Sequence, residues 1–513
     1  MNGKRNWSKI LLVLGVVIGV LGVSYALWLV TFSSTNNNTI TATCFNVSFT
    51  DQNNISIEKA YPLLDKDGKK LTPYEFTITN NCDTYVKYNI NLEILNNSTL
   101  TNMDYIKLML DDETPSLVSS YDVTTKTLSN ASTAYKIKTS YLDAKESKTY
   151  NLRLWLDENV TGETEGVQNN TFASKITVNA SYTDKYLKNA VEYITTLAST
   201  DTTNLAIDDY DNIRYIGKDP NNYISINGDM WRIIGVMKDI DNGKGRKEDK
   251  VKIIRAKSVE DYKNNVWYSW DTSLSSVNGG FGVNEWSQAK LMKLLNPGYE
   301  DVFAGGSLYW NSGVGRCCVG KGNVVSQCDF TDIGIKDKLK MLIGDAVWNI
   351  GADKTNDYNV ATKQFYDYER SNNNGKTCTS SDSCNDTVER TTIWTGKIGL
   401  MYPSDYGYAT SGSDAIDRAT CLNINLNNWD TGSGNECSNN DWLFNSKDQW
   451  TMIPSASSSY SYEIFYITEN GGVDRIYASK SYEIGARPVA YLLSSVGIQS
   501  GDGSYDNPFM LEI

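Results

Sequence analysis

The sequence predicts a chain in three parts: an N-terminal transmembrane helix, an antiparallel β-sandwich, and an α+β disulfide-bonded, loop-rich domain. Three observations carry this. An uncharged run from Ile10 to Phe32 follows Lys4, Arg5 and Lys9. Short runs of alternating apolar and polar residues then recur as far as Tyr182. Beyond residue 205 strand-like runs mix with a few helical ones, and seven of the nine cysteines gather there.

The apolar run comes first. At ~1.5 Å per residue a helix from Ile10 to Phe32 spans about 34 Å, enough for a hydrocarbon core of ~30 Å. All nearby positive charge precedes it, so the N-terminal tail 1–9 is expected in the cytoplasm and everything after Phe32 outside. A second reading treats Ile10 to Val23 as the apolar part of a signal peptide, with Ser24-Tyr25-Ala26 as a small-x-small cleavage site. Leu27-Trp28-Leu29-Val30 is apolar for a mature N-terminus, which favours a retained single-pass anchor over secretion after cleavage near Ala26. Residues 33–43 read as a polar spacer.

The β-sandwich is placed at 44–182. Tyr74 to Thr79 alternates, Asn80-Asn81 punctuates, and alternation resumes from Tyr85 to Leu95. Thr149 to Leu156 and Ala173 to Tyr182 continue the pattern. Short strands with Asn, Asp and Gly turns between them are the mark of two packed antiparallel sheets. From Thr183 the period lengthens: Tyr186, Leu187, Ala190, Val191, Ile194 and Leu197 recur at three- and four-residue steps. That spacing predicts an amphipathic helix, read as a helical linker over 183–204.

The remaining 205–513 form the α+β head. Tyr223 to Val236 reads as a hairpin around Asn227-Gly228-Asp229, because an Asn-Gly turn suits the right-handed twist of the flanking strands. Val251 to Ala256 is another strand, and Ser287 to Leu295 and Asp337 to Asn349 are the expected helices. Cys378 and Cys384 close a polar excursion at 371–387, and Val489 to Leu493 and Pro508 to Ile513 end the fold as strands.

Composition narrows the chemistry. The chain has 513 residues, a net charge of −13 and no histidine. The negative balance argues against nucleic acid as a partner, and the missing histidine removes Ser-His-Asp and Cys-His catalysis with every His-ligated metal site. Nine cysteines in an exported chain read as disulfides. Cys44 and Cys82 stand alone in the first part and are expected to pair, as are Cys421 and Cys437, which lie close in sequence. An odd number in the head leaves one thiol over, and adjacent Cys317 and Cys318 are not expected to bond to each other.

The stretch from the apolar run to about Tyr182 resembles the camelysin-like and biofilm-fibre surface proteins of Gram-positive bacteria. The matching features are Val23-Ser24-Tyr25-Ala26, Tyr74-Glu75-Phe76-Thr77-Ile78-Thr79-Asn80, Val86-Lys87-Tyr88 and Ser147-Lys148-Thr149-Tyr150-Asn151-Leu152. The resemblance implies a jelly-roll-like sandwich at the cell surface. Cys44, Cys82 and the large second domain depart from it. The head is similar to an uncharacterised domain of secreted Firmicutes proteins, through Met230-Trp231-Arg232-Ile233-Ile234-Gly235, Gly399 to Tyr406, Arg487 to Leu492 and Gly501 to Pro508. Its loop-rich, Trp-rich character looks like the C-type lectin or formylglycine-generating-enzyme superfold.

A C-type lectin sets a Trp-Asn-Asp strand near its inner disulfide, and Trp429, Asn440, Asp441 and Trp442 lie around Cys437 in a comparable order. These four are the candidate ligand-binding residues: aromatic faces for stacking, acceptors for direction. The plainer alternative makes Trp442 a core residue and Asp441 a turn cap. Too few acidic oxygens accompany them for calcium, and Gly501 to Asn507 lacks calcium-loop spacing, so no metal and no cofactor are expected. Arg232, Arg255 and Arg487 interrupt apolar strands, either as buried ion-pair partners or as anion ligands. The expected role is non-catalytic recognition of an extracellular glycan or surface protein, with the cytoplasmic membrane as a further partner through the N-terminal helix. A matrix component assembling through the sandwich is the alternative, and an extracellular carbohydrate-active enzyme the third.

Overall fold

The computed structural model describes residues 29–33, 44–49, 55–57, 61–161, 163–182, 187–259, 268–273, 280–352, 359–372, 388, 390–455, 462–480 and 484–513. The chain divides into two compact units, Met1–Tyr186 and Leu187–Ile513.

The first unit is built from two antiparallel sheets. One runs in the order Leu29–Ser33, Phe172–Tyr182, Val86–Leu95, Ala131–Leu142, Asp122–Thr124, with Ile55–Ile57 also on Phe172–Tyr182. The other runs Phe45–Phe49, Tyr74–Asn80, Ser147–Leu156, Ile106–Leu110, Ser116–Leu117. Alternation explains the core. Phe76, Ile78, Tyr88, Ile90, Tyr150, Leu152, Ile176 and Val178 are buried, each drawn from one face of its strand. The two sheets also meet through hydroxyls, Tyr88 Oη lying 2.6 Å from Tyr150 Oη. Cys44–Cys82 is a disulfide. It joins two neighbouring strands of one sheet, since Phe45 pairs with Asn80.

The N-terminal prediction needs correction at its end. Leu29–Ser33, taken as the close of the membrane helix and the start of the spacer, is a strand antiparallel to Phe172–Tyr182, with Val30 opposite Ala180. Residues before Leu29 and most of the spacer lie outside the described residues. Among the described residues no helix is long and apolar enough to cross a membrane.

The second unit centres on a ten-stranded mixed sheet. Its main path is Lys188–Asn189, Gly497–Ser500, Phe509–Glu512, Tyr223–Ile226, Asp229–Asp241, Lys247–Arg255, Val489–Tyr491, Ile398–Gly399. Ile213–Tyr215 joins through Asp229–Asp241 and carries Leu205–Ile207 beside it. The hairpin turn at Asn227-Gly228 has both residues at positive φ, 50° and 80°, the geometry of the tight turn that Asn-Gly favours. At Gly235 the ladder shifts register, and a Cβ there would sit 1.9 Å from the Ile213 carbonyl oxygen. Only glycine allows that approach. A smaller four-stranded sheet, Val473–Tyr477, Glu463–Ile467, Asp448–Pro454, Ile484–Gly485, packs in the same unit.

Helices are few and short, so the head is more β than the α+β expectation. The helix read as a linker is Ala190–Ala198, capped by Asn189 Oδ1 accepting from the Glu192 N–H. Its Ala190 and Ile194 are buried in the core of the second unit, so it packs as part of the head. The helix predicted over Asp337 to Asn349 ends at Leu342. Ala346–Asn349 is instead a strand paired with Ile393–Gly396, Trp348 opposite Trp394. Cross-strand burial of two tryptophans outweighs local helical period. Cys421–Cys437 is a disulfide between the short helices Arg418–Asn423 and Gly434–Asn439, and Cys317–Cys328 joins the strands of a hairpin. Cys318 is buried and unbonded. The excursion carrying Cys378 and Cys384 lies outside the described residues.

Candidate functional site

Reactive groups of the head meet in a buried ionic network. Strand Ile213–Tyr215 supplies Arg214 and strand Lys247–Arg255 supplies Lys252. The six-residue helix Pro403–Tyr408 supplies Asp405, and Thr362–Glu369 ends in Glu369 with Arg370 just beyond. Strand Lys247–Arg255 is covered on both faces, so Val251, Lys252, Ile253 and Ile254 are all buried. Alternation therefore cannot send Lys252 to water.

Lys252 Nζ lies 2.5 Å from Asp405 Oδ2, and both side chains are 1% exposed. Arg214 Nη1 donates to Asp405 Oδ1 at 2.7 Å and Arg214 Nε to Asp208 Oδ2 at 2.8 Å. The Tyr402 N–H donates to Asp405 Oδ2 at 2.9 Å. The Lys252 amine sits 4.1 Å from the Tyr402 ring centre and 5.6 Å from those of Trp348 and Tyr491. Glu369 accepts from the Ser404 N–H at 2.9 Å, from Ser404 Oγ at 2.6 Å and from Arg370 Nη1 at 2.8 Å. Arg370 lies 3.4 Å over the Tyr366 ring, which stacks on Tyr210 at 3.8 Å.

Electrostatics follow from this burial. Removal from water pulls the Lys252 amine down to about 8, against the pull of Asp405. Burial pushes Asp405 upward, but Lys252 and Arg214 outweigh it and hold the carboxyl below its usual range. Glu369 is raised by burial despite Arg370. The network holds three carboxylates (Asp208, Glu369, Asp405) and three cations (Arg214, Lys252, Arg370), so its formal charge cancels. Arg214 Nη2 has no hydrogen-bond partner among the described residues.

The structure turns the aromatic members of the four sequence-predicted ligand residues inward. Trp429 is fully buried, 5.2 Å from the Tyr406 ring. Trp442 is 4% exposed, its Nε1 donating to the Tyr215 carbonyl at 2.9 Å. Asp441 is buried, Oδ1 accepting from the Leu443 N–H at 2.8 Å, and burial pushes its carboxyl well above the ordinary range. Asn440 is half-buried, its Nδ2 donating to the Glu436 carbonyl at 2.8 Å. Neither tryptophan offers a ring face to a ligand, so the core reading replaces the stacking one. The arginines are engaged as well. Arg232 pairs with Asp219 and Asn222, Arg255 with Asp229, and Arg487 donates to the carbonyls of Arg255 and Leu443.

One aromatic chain does reach the surface. The Arg232 guanidinium lies 4.5 Å from the Trp442 ring centre and 4.0 Å from that of Tyr223. Tyr223 meets Tyr505 edge to face at 5.4 Å, and Tyr505 is 64% exposed. Asp219, exposed beside it, accepts from Tyr223 Oη and from Arg232. Tyr505 projects from the Gly501 to Asn507 turn, which closes through Asp502 and Gly503 N–H groups on the Asn507 carbonyl. Sequence reasoning missed both this tip and the network. Lys252 inside Val251-Lys252-Ile253-Ile254 carries the same signal as the arginines that were noticed.

No family model matches the chain, and no curated protein matches it. Two solved structures align weakly. The infectious bursal disease virus VP2 subviral particle shares 8% identity over 31% of this chain and 33% of its own, with a TM-score of 0.15. The binding domain of botulinum neurotoxin serotype D shares 9% identity over 49% of this chain and 76% of its own, with a TM-score of 0.11. The chain thus spans about a third of the VP2 chain it matches.

Proposed function

We propose that this is an exported bacterial surface protein whose head binds a glycan or a partner protein without catalysis, with the sandwich as its stalk. The observation that carries the recognition reading is the ladder Trp442–Arg232–Tyr223–Tyr505, which anchors an exposed ring in the core. A ring held this way loses little freedom on binding, and Asp219 beside it supplies a directional acceptor. Disulfides in both units support export into an oxidising compartment. N-terminal sequencing of the mature protein decides between a retained anchor and cleavage near Ala26.

Binding to an array of bacterial envelope and host glycans tests the reading. Tyr505→Ala is expected to weaken binding about tenfold, equivalent to ~1.4 kcal/mol, with the melting temperature unchanged. Binding that survives the substitution intact removes the tip from the site. A matrix role has its own support in the place of Leu29–Ser33 at the end of its described sheet. Concentration-dependent polymerisation of the purified chain is the measurement that favours it.

A further inference from the structure

We propose that Lys252 and Asp405 join in an intramolecular amide bond, a self-made covalent cross-link inside the head. An amine and a carboxyl stand 2.5 Å apart, both sealed from water, with the amine enclosed by the rings of Tyr402, Trp348 and Tyr491. Ordinary peptide chemistry in water runs towards hydrolysis because water is abundant and the charged reactants are well solvated. Neither condition holds here.

The atoms balance without any co-reactant. The Lys252 Nζ attacks Asp405 Cγ, a C–N bond forms, and the Cγ–Oδ2 bond breaks. Oδ2 leaves with two protons of the former ammonium as one water molecule, and nothing is oxidised or reduced. Proton transfer across the short contact gives the neutral amine and neutral acid without altering the charge of the site. Burial lowers the amine to about 8 and brings that uncharged form closer, while Lys252 and Arg214 hold the Asp405 carboxyl below its usual range and keep the ion pair as the resting form from which it is reached. Arg214 Nη1, 2.7 Å from Oδ1, is placed to stabilise negative charge on that oxygen as the carbon becomes tetrahedral.

The surroundings fit the product as well as the reactants. Loss of one cation and one carboxylate leaves Arg214 with Asp208 at 2.8 Å and Arg370 with Glu369 at 2.8 Å. Every remaining buried ion of the network keeps a partner, and the new amide carbonyl inherits the Arg214 hydrogen bond. The cross-link ties a central strand of the large sheet to the helix Pro403–Tyr408 across 153 residues of chain. Force applied to an exported protein could not then extend that segment, on the order of 500 Å of chain at full stretch.

Peptide mapping of the full-length, reduced protein tests this directly. Trypsin is expected not to cut after Lys252, and to yield a branched peptide joining 251–255 to 398–418. Its mass should equal the sum of the two linear peptides less one water, and it should replace most of both. Lys252→Arg keeps the positive charge but forms no such bond, so its map should show the linear 398–418 peptide and no branched species. Complete recovery of unmodified linear peptides from folded wild-type protein overturns the proposal. So does a water loss that persists in Lys252→Arg, or one that maps to other residues.

Discussion

The two units reach stability by different means. In the sandwich, Lys107 gathers Asp65, Asp157 and Glu158 at 2.8, 3.0 and 2.9 Å around one amine, and the buried Glu93 accepts from the Thr127 and Leu128 N–H groups and the Thr177 hydroxyl. Its core is a regular product of alternation, closed by neighbouring strands. In the head, full charges are buried, and they link residues far apart in sequence: Arg214 to Asp405, Lys252 to Asp405, Ser404 to Glu369. A buried ion depends on its partner far more than a solvated one, because the interior offers no substitute for lost solvation. The head is therefore the unit in which one polar substitution does most damage.

The sharpest way to break that contrast is Asp405→Ala. It strands Lys252 and half of Arg214 in the interior and should cost about 3–5 kcal/mol, lost from the head alone. Denaturant unfolding followed by near-ultraviolet circular dichroism should show the sandwich transition in place and the head transition moved or gone. Equal loss in both units would mean that they do not unfold independently.

Removing the disulfides reverses the ranking of the units. Cys44–Cys82 spans 38 residues and Cys421–Cys437 spans 16. Chain entropy makes the first worth about 4 kcal/mol and the second about 3. Paired Cys→Ser substitutions, each read by its own unit's midpoint, should give that order. The opposite order would place native-state geometry above chain entropy.

A smaller effect depends on pH. Burial holds Asp441 well above the ordinary range, so the folded head keeps a proton that the unfolded chain releases above pH ~4. The folded state then binds more protons, and stability contributed at this position falls as pH rises from about 4 through the folded value. Asp441→Asn keeps the shape and does not titrate. Relative to wild type it should gain stability progressively as pH rises from about 4 to 8, read as melting temperature against pH. A constant difference across that range would place the ordinary charged carboxylate there. The smallest effect belongs to an exposed pair: Lys70→Ala, which removes the Lys70–Asp67 contact at 3.5 Å, should cost ~1 kcal/mol or less and shrink further in high salt.

Legibility from sequence follows the same division. Tyr74–Asn80 and Ser147–Leu156 were readable because alternate residues face the core, and Val86–Leu95 and Phe172–Tyr182 because apolar and polar residues still alternate in their sequences although much of each is buried on both faces. Asn227-Gly228 was readable because its turn needs two residues at positive φ. The Ala346–Asn349 strand was not, since its partner Ile393–Gly396 lies more than forty residues away and local period pointed to a helix. The candidate site failed for a related reason. Composition says that Trp442 is aromatic, while only the packing of Arg232 and Tyr215 around it says which way it faces.

The sequence by itself determined the alternating strands, the hairpin turn, the absence of histidine chemistry and the small set of cysteines that can pair. These depend on local backbone preference or on inventory. Tertiary structure alone decided that Trp429 and Trp442 belong to the core, that Tyr505 is the exposed ring, and that Lys252 meets Asp405. A side chain's burial and partner are set by elements distant along the chain. In strands covered on both faces, the period that would betray its direction has vanished.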